Sequence, residues 1–227
     1  MTRMNSMRES MGKIRKATLV VAGLAAIWAT PASAQTASDT KTYVGAVVGV
    51  QSVQNVGGLA GVEFGYHASD RLDVRAEATW LQDTVTRRRI GTAETVGSFL
   101  QQSQGGTVVT SLEAPALLAS GGVRYVFGGE RSVRPYVLAG VGIARVTLVP
   151  KYTLNSKDVT EQLSQYGISL GSDLTGVASK PAITGGVGVA TSRGDWKISA
   201  DLRVTSIRML DQPSNVLRLN VGIGRDF

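Results

Sequence analysis

The sequence contains no cysteine. This excludes a disulfide scaffold, a thiolate-ligated zinc or iron–sulfur site, a thiol nucleophile and a lipid anchor on an N-terminal cysteine. It contains one histidine, His67. A two-histidine metal site is therefore excluded, and any catalytic imidazole has a single candidate. Charged residues make up only 18% of the chain and the mean hydropathy is +0.06. Long disorder needs the opposite balance, high charge with low hydrophobicity. Long hydrophobic runs are missing too. A membrane helix needs roughly 20 apolar residues, and the candidate stretch, Ala17 to Ala29, has 13. A polytopic helical membrane protein is excluded on that ground.

The net charge of +7 invites a nucleic-acid reading, but its distribution argues against one. Residues 1–34 hold five of the 24 basic residues and one of the 17 acidic ones, leaving 19 against 16 in the remainder. No nucleic-acid partner is expected. The basic N-terminus instead reads as an address. Lys13, Arg15 and Lys16 precede the apolar run, Thr30-Pro31 breaks it, and Ala32-Ser33-Ala34 supplies the small residues a signal peptidase needs. Residues 1–34 are thus expected to be a cleaved signal peptide, with translation starting at Met1 or Met11. Residues 35–41 would be a short periplasmic lead-in and 42–227 the folded domain.

What the chain has in quantity is period-two alternation. In 196–205, Trp196, Ile198, Ala200, Leu202 and Val204 oppose Lys197, Ser199, Asp201, Arg203 and Thr205. The stretch 71–80 repeats the pattern, with Leu72, Val74, Ala76, Ala78 and Trp80 opposing Asp73, Arg75, Glu77 and Thr79, and so does 217–227. One apolar and one polar face per segment is the signature of strands. Glycine-richer strands are expected at 42–52, 58–67, 108–127, 134–149 and 181–191. No long amphipathic helix is expected after the signal. Tight joins at 68–70, 128–133 and 192–195 alternate with joins at 53–57, 83–107, 150–180 and 211–215, of which 83–107 and 150–180 are long and polar. Short turns on one rim and longer loops on the other describe an up-and-down barrel.

A soluble barrel puts its apolar face inside, and a membrane barrel puts it outside. The polar face offers Glu63, Asp73, Glu77, Asp201 and Asp226 with Arg75, Arg124, Lys197, Arg203 and Arg218. Five acids and five bases can neutralise one another in a narrow lumen. Large apolar residues to fill a soluble core are few. Aromatics fall near strand ends, at Tyr43, Tyr66, Trp80, Tyr125, Phe127, Tyr136, Trp196 and Phe227, where membrane barrels carry girdles. The expected fold is all-β: an eight-stranded antiparallel up-and-down transmembrane β-barrel.

The stretch Ser111 to Arg145, with Arg134-Pro135-Tyr136 and Gly140-Val141-Gly142, resembles the centre of small OmpA/OmpX-like outer-membrane β-barrel proteins. Gly65-Tyr66 and Asp73-Val74-Arg75-Ala76-Glu77 resemble that family's second and third strands. The last strand, ending in Phe227, resembles the C-terminal signal read by the barrel assembly machinery, although Arg225 stands where an apolar or aromatic residue is usual. The resemblance covers essentially all of 42–227. It implies export to the cell outer membrane of a Gram-negative-type bacterium, contact with outer-membrane lipid and lipopolysaccharide, and a monomer. With Phe227 as the last residue, no peptidoglycan-binding domain is expected to follow.

Site expectations follow from this frame. Glu63, Arg75, Glu77, Arg124, Asp201 and Arg203 are expected to form a lumenal charge network. Arg87, Arg88 and Arg89 could meet lipopolysaccharide phosphates, since guanidinium pairs bidentately with phosphate. His67-Ala68-Ser69 matches the His-x-Ser pair of an outer-membrane lipid A deacylase family, but the topology puts it on the periplasmic rim and no acidic partner is fixed by spacing. No catalytic residue, metal site or cofactor is expected. The leading role is structural or surface-interactive, carried by the loops 83–107 and 150–180. The alternatives are a narrow channel, a lipid A-modifying enzyme using His67 and Ser69, and a soluble periplasmic binding barrel.

Overall fold

The computed structural model describes residues 42–128, 132–209 and 212–227. The expected signal peptide and lead-in lie outside these residues. The strands are β1 (Thr42–Ser52), β2 (Val56–Ser69), β3 (Leu72–Leu81), β4 (Val108–Glu113), β5 (Ala116–Val126), β6 (Val133–Leu154), β7 (Lys157–Asp158), β8 (Gly176–Arg193), β9 (Trp196–Ile207) and β10 (Ser214–Asp226). A helix, α1 (Arg87–Gln104), lies between β3 and β4.

All pairings are antiparallel. β1 pairs with β2, β2 with β3, β3 with β5, β5 with β6, β6 with β8, β8 with β9, β9 with β10, and β10 with β1. Eight staves therefore close on themselves, which removes the edges an open sheet would leave. At the closure the Phe227 N–H donates to the Thr42 carbonyl at 2.8 Å. β4 and β7 are not staves; both pair with the upper part of β6.

Alternation sets which face each residue takes. Val137, Val141 and Ile143 on β6, Ile198 and Leu202 on β9, and Leu219 and Ile223 on β10 are exposed on the outside. Their neighbours Tyr136, Lys197, Arg203 and Arg218 are buried inside. An apolar shell around a charged interior is stable only where the shell meets lipid.

Four expectations are corrected. The strand expected over 108–127 breaks at Ala114-Pro115. Pro115 has no N–H to give a ladder, and the break lets the Ala114 carbonyl accept from the Thr84 N–H at 2.8 Å. The loop expected over 150–180 is partly strand, because 150–154 continue β6 and 176–180 continue β8. The rest of it turns tightly through Asn155 and Ser156, both at positive φ, into β7 and a 3-10 helix (Thr160–Tyr166).

The loop expected over 83–107 contains the 18-residue helix α1. Its buried face is Arg89, Ala93, Gly97 and Leu100, one charged, two small and one large apolar residue, so no strong apolar stripe marks it in sequence. Its polar Thr92, Thr95 and Ser98 are satisfied within the helix, each hydroxyl donating to the carbonyl four residues earlier.

Finally, Tyr43 and Tyr136 leave the expected girdle. Both are buried in the lumen, opposite Gly65 and Gly188 across the ladder. A Cβ on Gly65 would come within 1.9 Å of the Tyr43 ring, so the ring occupies the space that glycine leaves.

Candidate functional site: the lumen and its cap

The lumen is built in three layers from the inward positions of the staves. The lowest sits near the tight turns. Here the Tyr43 hydroxyl donates to Glu63 at 2.6 Å, and the Arg124 Nε donates to Asp73 at 2.7 Å. Arg124 also lies over both tyrosine rings, 5.0 Å from the Tyr43 centroid and 5.3 Å from that of Tyr136. Lys197 approaches Asp73 at 3.5 Å.

The middle layer centres on Glu77. Its carboxylate is bonded by Arg75, Arg203 and Arg218 and by the Thr79 hydroxyl. Arg75 also reaches Glu63 at 3.0 Å. Arg203 Nε donates to Asp201 at 2.6 Å, and Asp201 accepts further bonds from Tyr136 and Asn220 at 2.7 Å each. Isolated ions in such a place would be too costly; each is tolerable because its neighbours carry the opposite charge, although Arg75 Nη1 and Arg218 Nε and Nη1 are buried without a hydrogen-bond partner among the described residues.

The upper layer is apolar. Val47, Leu59, Leu81, Leu118, Val146, Ile207 and Val216 point inward beneath the long connections. Above them the segment Asp83–Thr86 crosses the mouth. The Asp83 carbonyl accepts from the Gln51 amide at 2.6 Å, the Thr84 carbonyl accepts from the Ser214 hydroxyl at 2.7 Å, and Asp83 Oδ1 accepts from the Ala114 N–H at 3.0 Å. The strap is thus tied to the neighbouring staves β1 and β10 and to the join before β5, and α1 lies beyond it. Inside the lower lumen the cavity beside Tyr43, Glu63 and Lys197 measures about 20 Å³, room for a single water molecule.

The six residues expected to form the network, Glu63, Arg75, Glu77, Arg124, Asp201 and Arg203, all face the lumen and lie in one ion-paired cluster. Asp73, Lys197 and Arg218 belong to it too, and strand parity already put them on the polar face. Asn220, which the same parity put on the polar face, is a further member, and so are Tyr43 and Tyr136, which sequence reasoning had assigned to the girdle. The arginine trio is divided. Arg87 and Arg88 are exposed in the first turn of α1, and Arg89 is buried.

His67 lies near the turn rim with Nδ1 2.6 Å from Asp73 and Nε2 3.5 Å from Asp226. Spacing had fixed no acidic partner for it, and the barrel supplies two. Both ring nitrogens face carboxylates, so the imidazole is not directed at the exposed Ser69. Phe227 stands exposed at the seam, with the Arg225 guanidinium 5.8 Å from its ring centroid.

On the loop side, Leu100, Tyr152, Val159, Leu163 and Ile168 form a separate apolar cluster outside the barrel. Burial there, with the Asp173 carboxylate nearby, pushes the Tyr152 phenol up. The Thr160 N–H and hydroxyl hold the exposed Asp158 carboxyl below its ordinary range.

An eight-stranded barrel with an apolar outside and an ion-paired inside is an outer-membrane barrel. The chain belongs to the family described as outer membrane protein beta-barrel domain, whose model matches residues 22–224, and the protein resides in the outer membrane. It is similar to Neisserial surface protein A, at 14% identity over 85% of this chain and 100% of that one, with a TM-score of 0.52. It is also similar to a major outer membrane protein from Thermus thermophilus, at 16% identity over 82% and 99% of the two chains, with a TM-score of 0.50. No protein of curated function matches the chain in sequence.

Proposed function

We propose that the protein is a monomeric, non-conducting and non-enzymatic barrel that presents its long connections at the surface of a Gram-negative-type cell. The observation that carries this reading is the filling of the lumen from rim to rim by ion pairs, an apolar layer and a strap. Eight staves leave an interior that side chains can fill. Activity then resides in the loop rim, where 83–107 and 150–180 build the helix and the apolar cluster above the barrel. Barrels of this kind turn tightly on the periplasmic side and carry longer loops outside, so the loop rim faces out. Exposed Arg87 and Arg88 are placed to meet lipopolysaccharide phosphates, and Phe227 serves the assembly machinery. The lipid A-modifying reading through His67 and Ser69 loses ground to the two carboxylates that occupy the imidazole.

The absence of cysteine makes the test clean. Lys157→Cys, on the loop side, should react with a membrane-impermeant maleimide in intact cells. Asp70→Cys, on the turn side, should react only after the outer membrane is permeabilised. The reverse pattern would overturn the orientation. His67→Ala should leave lipid A acylation unchanged; an altered acylation pattern in mass spectra of lipid A would restore the enzyme reading.

A further inference from the structure

On the outer surface of the staves charge is scarce and of one sign. Among the described residues, the outward positions of the eight staves hold no acid. They hold Arg193 and Arg225 at the turn end and Arg145 and Lys151 on the loop side. Just past β9, the exposed Arg208 continues the outward series of Leu202, Val204 and Ser206. Its N–H donates to the Pro181 carbonyl of β8 at 2.9 Å.

Arg145 and Arg208 stand at matching heights. On β6 the outward apolar residues Val137, Val141 and Ile143 give way to Arg145, and 145 − 133 puts it 12 residues from the start of the strand at Val133. On β9 Trp196, Ile198, Leu202 and Val204 give way to Ser206 and then Arg208, and 208 − 196 again gives 12 residues. A tilted strand needs about 9–11 residues to cross the hydrocarbon, so both side chains lie just past it, among the lipid headgroups. An arginine on the lipid face is costly at the midplane and tolerated there. The two also flank one strand. β8 runs between β6 and β9, with Ser179 directly opposite Arg145 and Pro181 beside Arg208. Neighbouring strands are about 4.8 Å apart, so two long side chains can reach one group across β8. Towards the midplane, exposed Ile143, Ile183 and Val204 make the wall apolar.

Both arginines are exposed, so neither needs a counter-charge from the protein. What their places supply is paired positive charge at headgroup depth above an apolar wall. We propose that Arg145, Ser179 and Arg208 bind a phosphate of lipid A, the phosphorylated sugar lipid of lipopolysaccharide, with its acyl chains along Ile143, Ile183 and Val204. Guanidinium groups pair bidentately with phosphate, the Ser179 hydroxyl adds a donor, and the apolar wall selects a lipid over a bare anion. This wall site is separate from Arg87 and Arg88 on α1. It lies in the outer leaflet because the loop rim faces out, and so rests on that reading.

The test is a native mass spectrometry titration of the purified protein in octyl glucoside with diphosphoryl lipid A, with the same lipid stripped of its phosphates, and with phosphatidylglycerol. Diphosphoryl lipid A should form a saturating one-to-one adduct, and each of the other two lipids should bind at least about tenfold more weakly. Arg145→Gln and Arg208→Gln should each weaken lipid A by about tenfold. Arg225→Gln, at the far end of the same outer surface, should change it by less than about twofold. Heat-modified gel mobility checks that each variant is folded, and either arginine variant decides alone if the other fails to fold. Adducts that never saturate, equal binding of phosphatidylglycerol or of the stripped lipid, full binding by a folded Arg145→Gln or Arg208→Gln, or an equal loss in Arg225→Gln would overturn the proposal. Detergent solution has no sides, so a failure here is distinct from a failure of the orientation, which the cysteine labelling reads.

Discussion

At Glu77 three guanidinium groups share one carboxylate. Neutralising that carboxylate leaves Arg75, Arg203 and Arg218 facing one another out of water. Glu77→Gln should therefore cost about 3–5 kcal/mol in a urea titration of the lipid-embedded barrel. Removing the exposed Lys151–Asp158 pair, whose closest approach is 3.9 Å, should cost about 0–1 kcal/mol in the same titration. The lipid face can be tested just as locally. Ala200 is exposed outward and its neighbour Ser199 faces the lumen, where a Cβ added at Gly222 would meet its hydroxyl. Ala200→Arg should cost roughly 2–4 kcal/mol near the bilayer midplane, and Ser199→Thr much less. Equally mild effects would contradict the assignment of faces. At this scale the sequence was readable wherever charge alternated with aliphatic residues, as in 71–80 and 196–205. It was not readable at Tyr43 and Tyr136. An aromatic near a strand end suits the lumen as well as the girdle, and only the glycine across the ladder decides. Gly65→Val should accordingly clash with the Tyr43 ring and destabilise the barrel by about 1–3 kcal/mol.

Among the elements, the staves were legible and the cap was not. A stave is specified by its own period of two. The apolar upper layer interrupts that period, because Leu117-Leu118 and Leu148-Val149 are apolar on both faces. Helix α1 follows a different logic, in which Ala93 and Gly97 allow close packing and Leu100 anchors the far end in the cluster around Tyr152. The packing is tertiary, so no window of the sequence displays it. Leu100→Ala should release this anchor at a cost of about 2–5 kcal/mol. Limited proteolysis should then cut within 83–107 while the heat-modified gel shift of the barrel is retained. If the loop stays as resistant as in the unaltered chain, α1 is held by something other than this cluster.

For the molecule as a whole, alternation, the lengths of the joins and the balance of charge were enough to give an eight-stave barrel with lipid outside and ions inside. They could not give the strap at 83–86 or the tall wall of β4, β6 and β8, because each depends on where one connection lies relative to another. The account stands on the claim that strap, apolar layer and ion pairs together close the lumen. Planar-bilayer recording of the purified protein tests that claim most directly. Closure predicts small and infrequent current steps at most. Steady conductance of the size seen with open porins would contradict it and would mean that a continuous water path runs past Glu77.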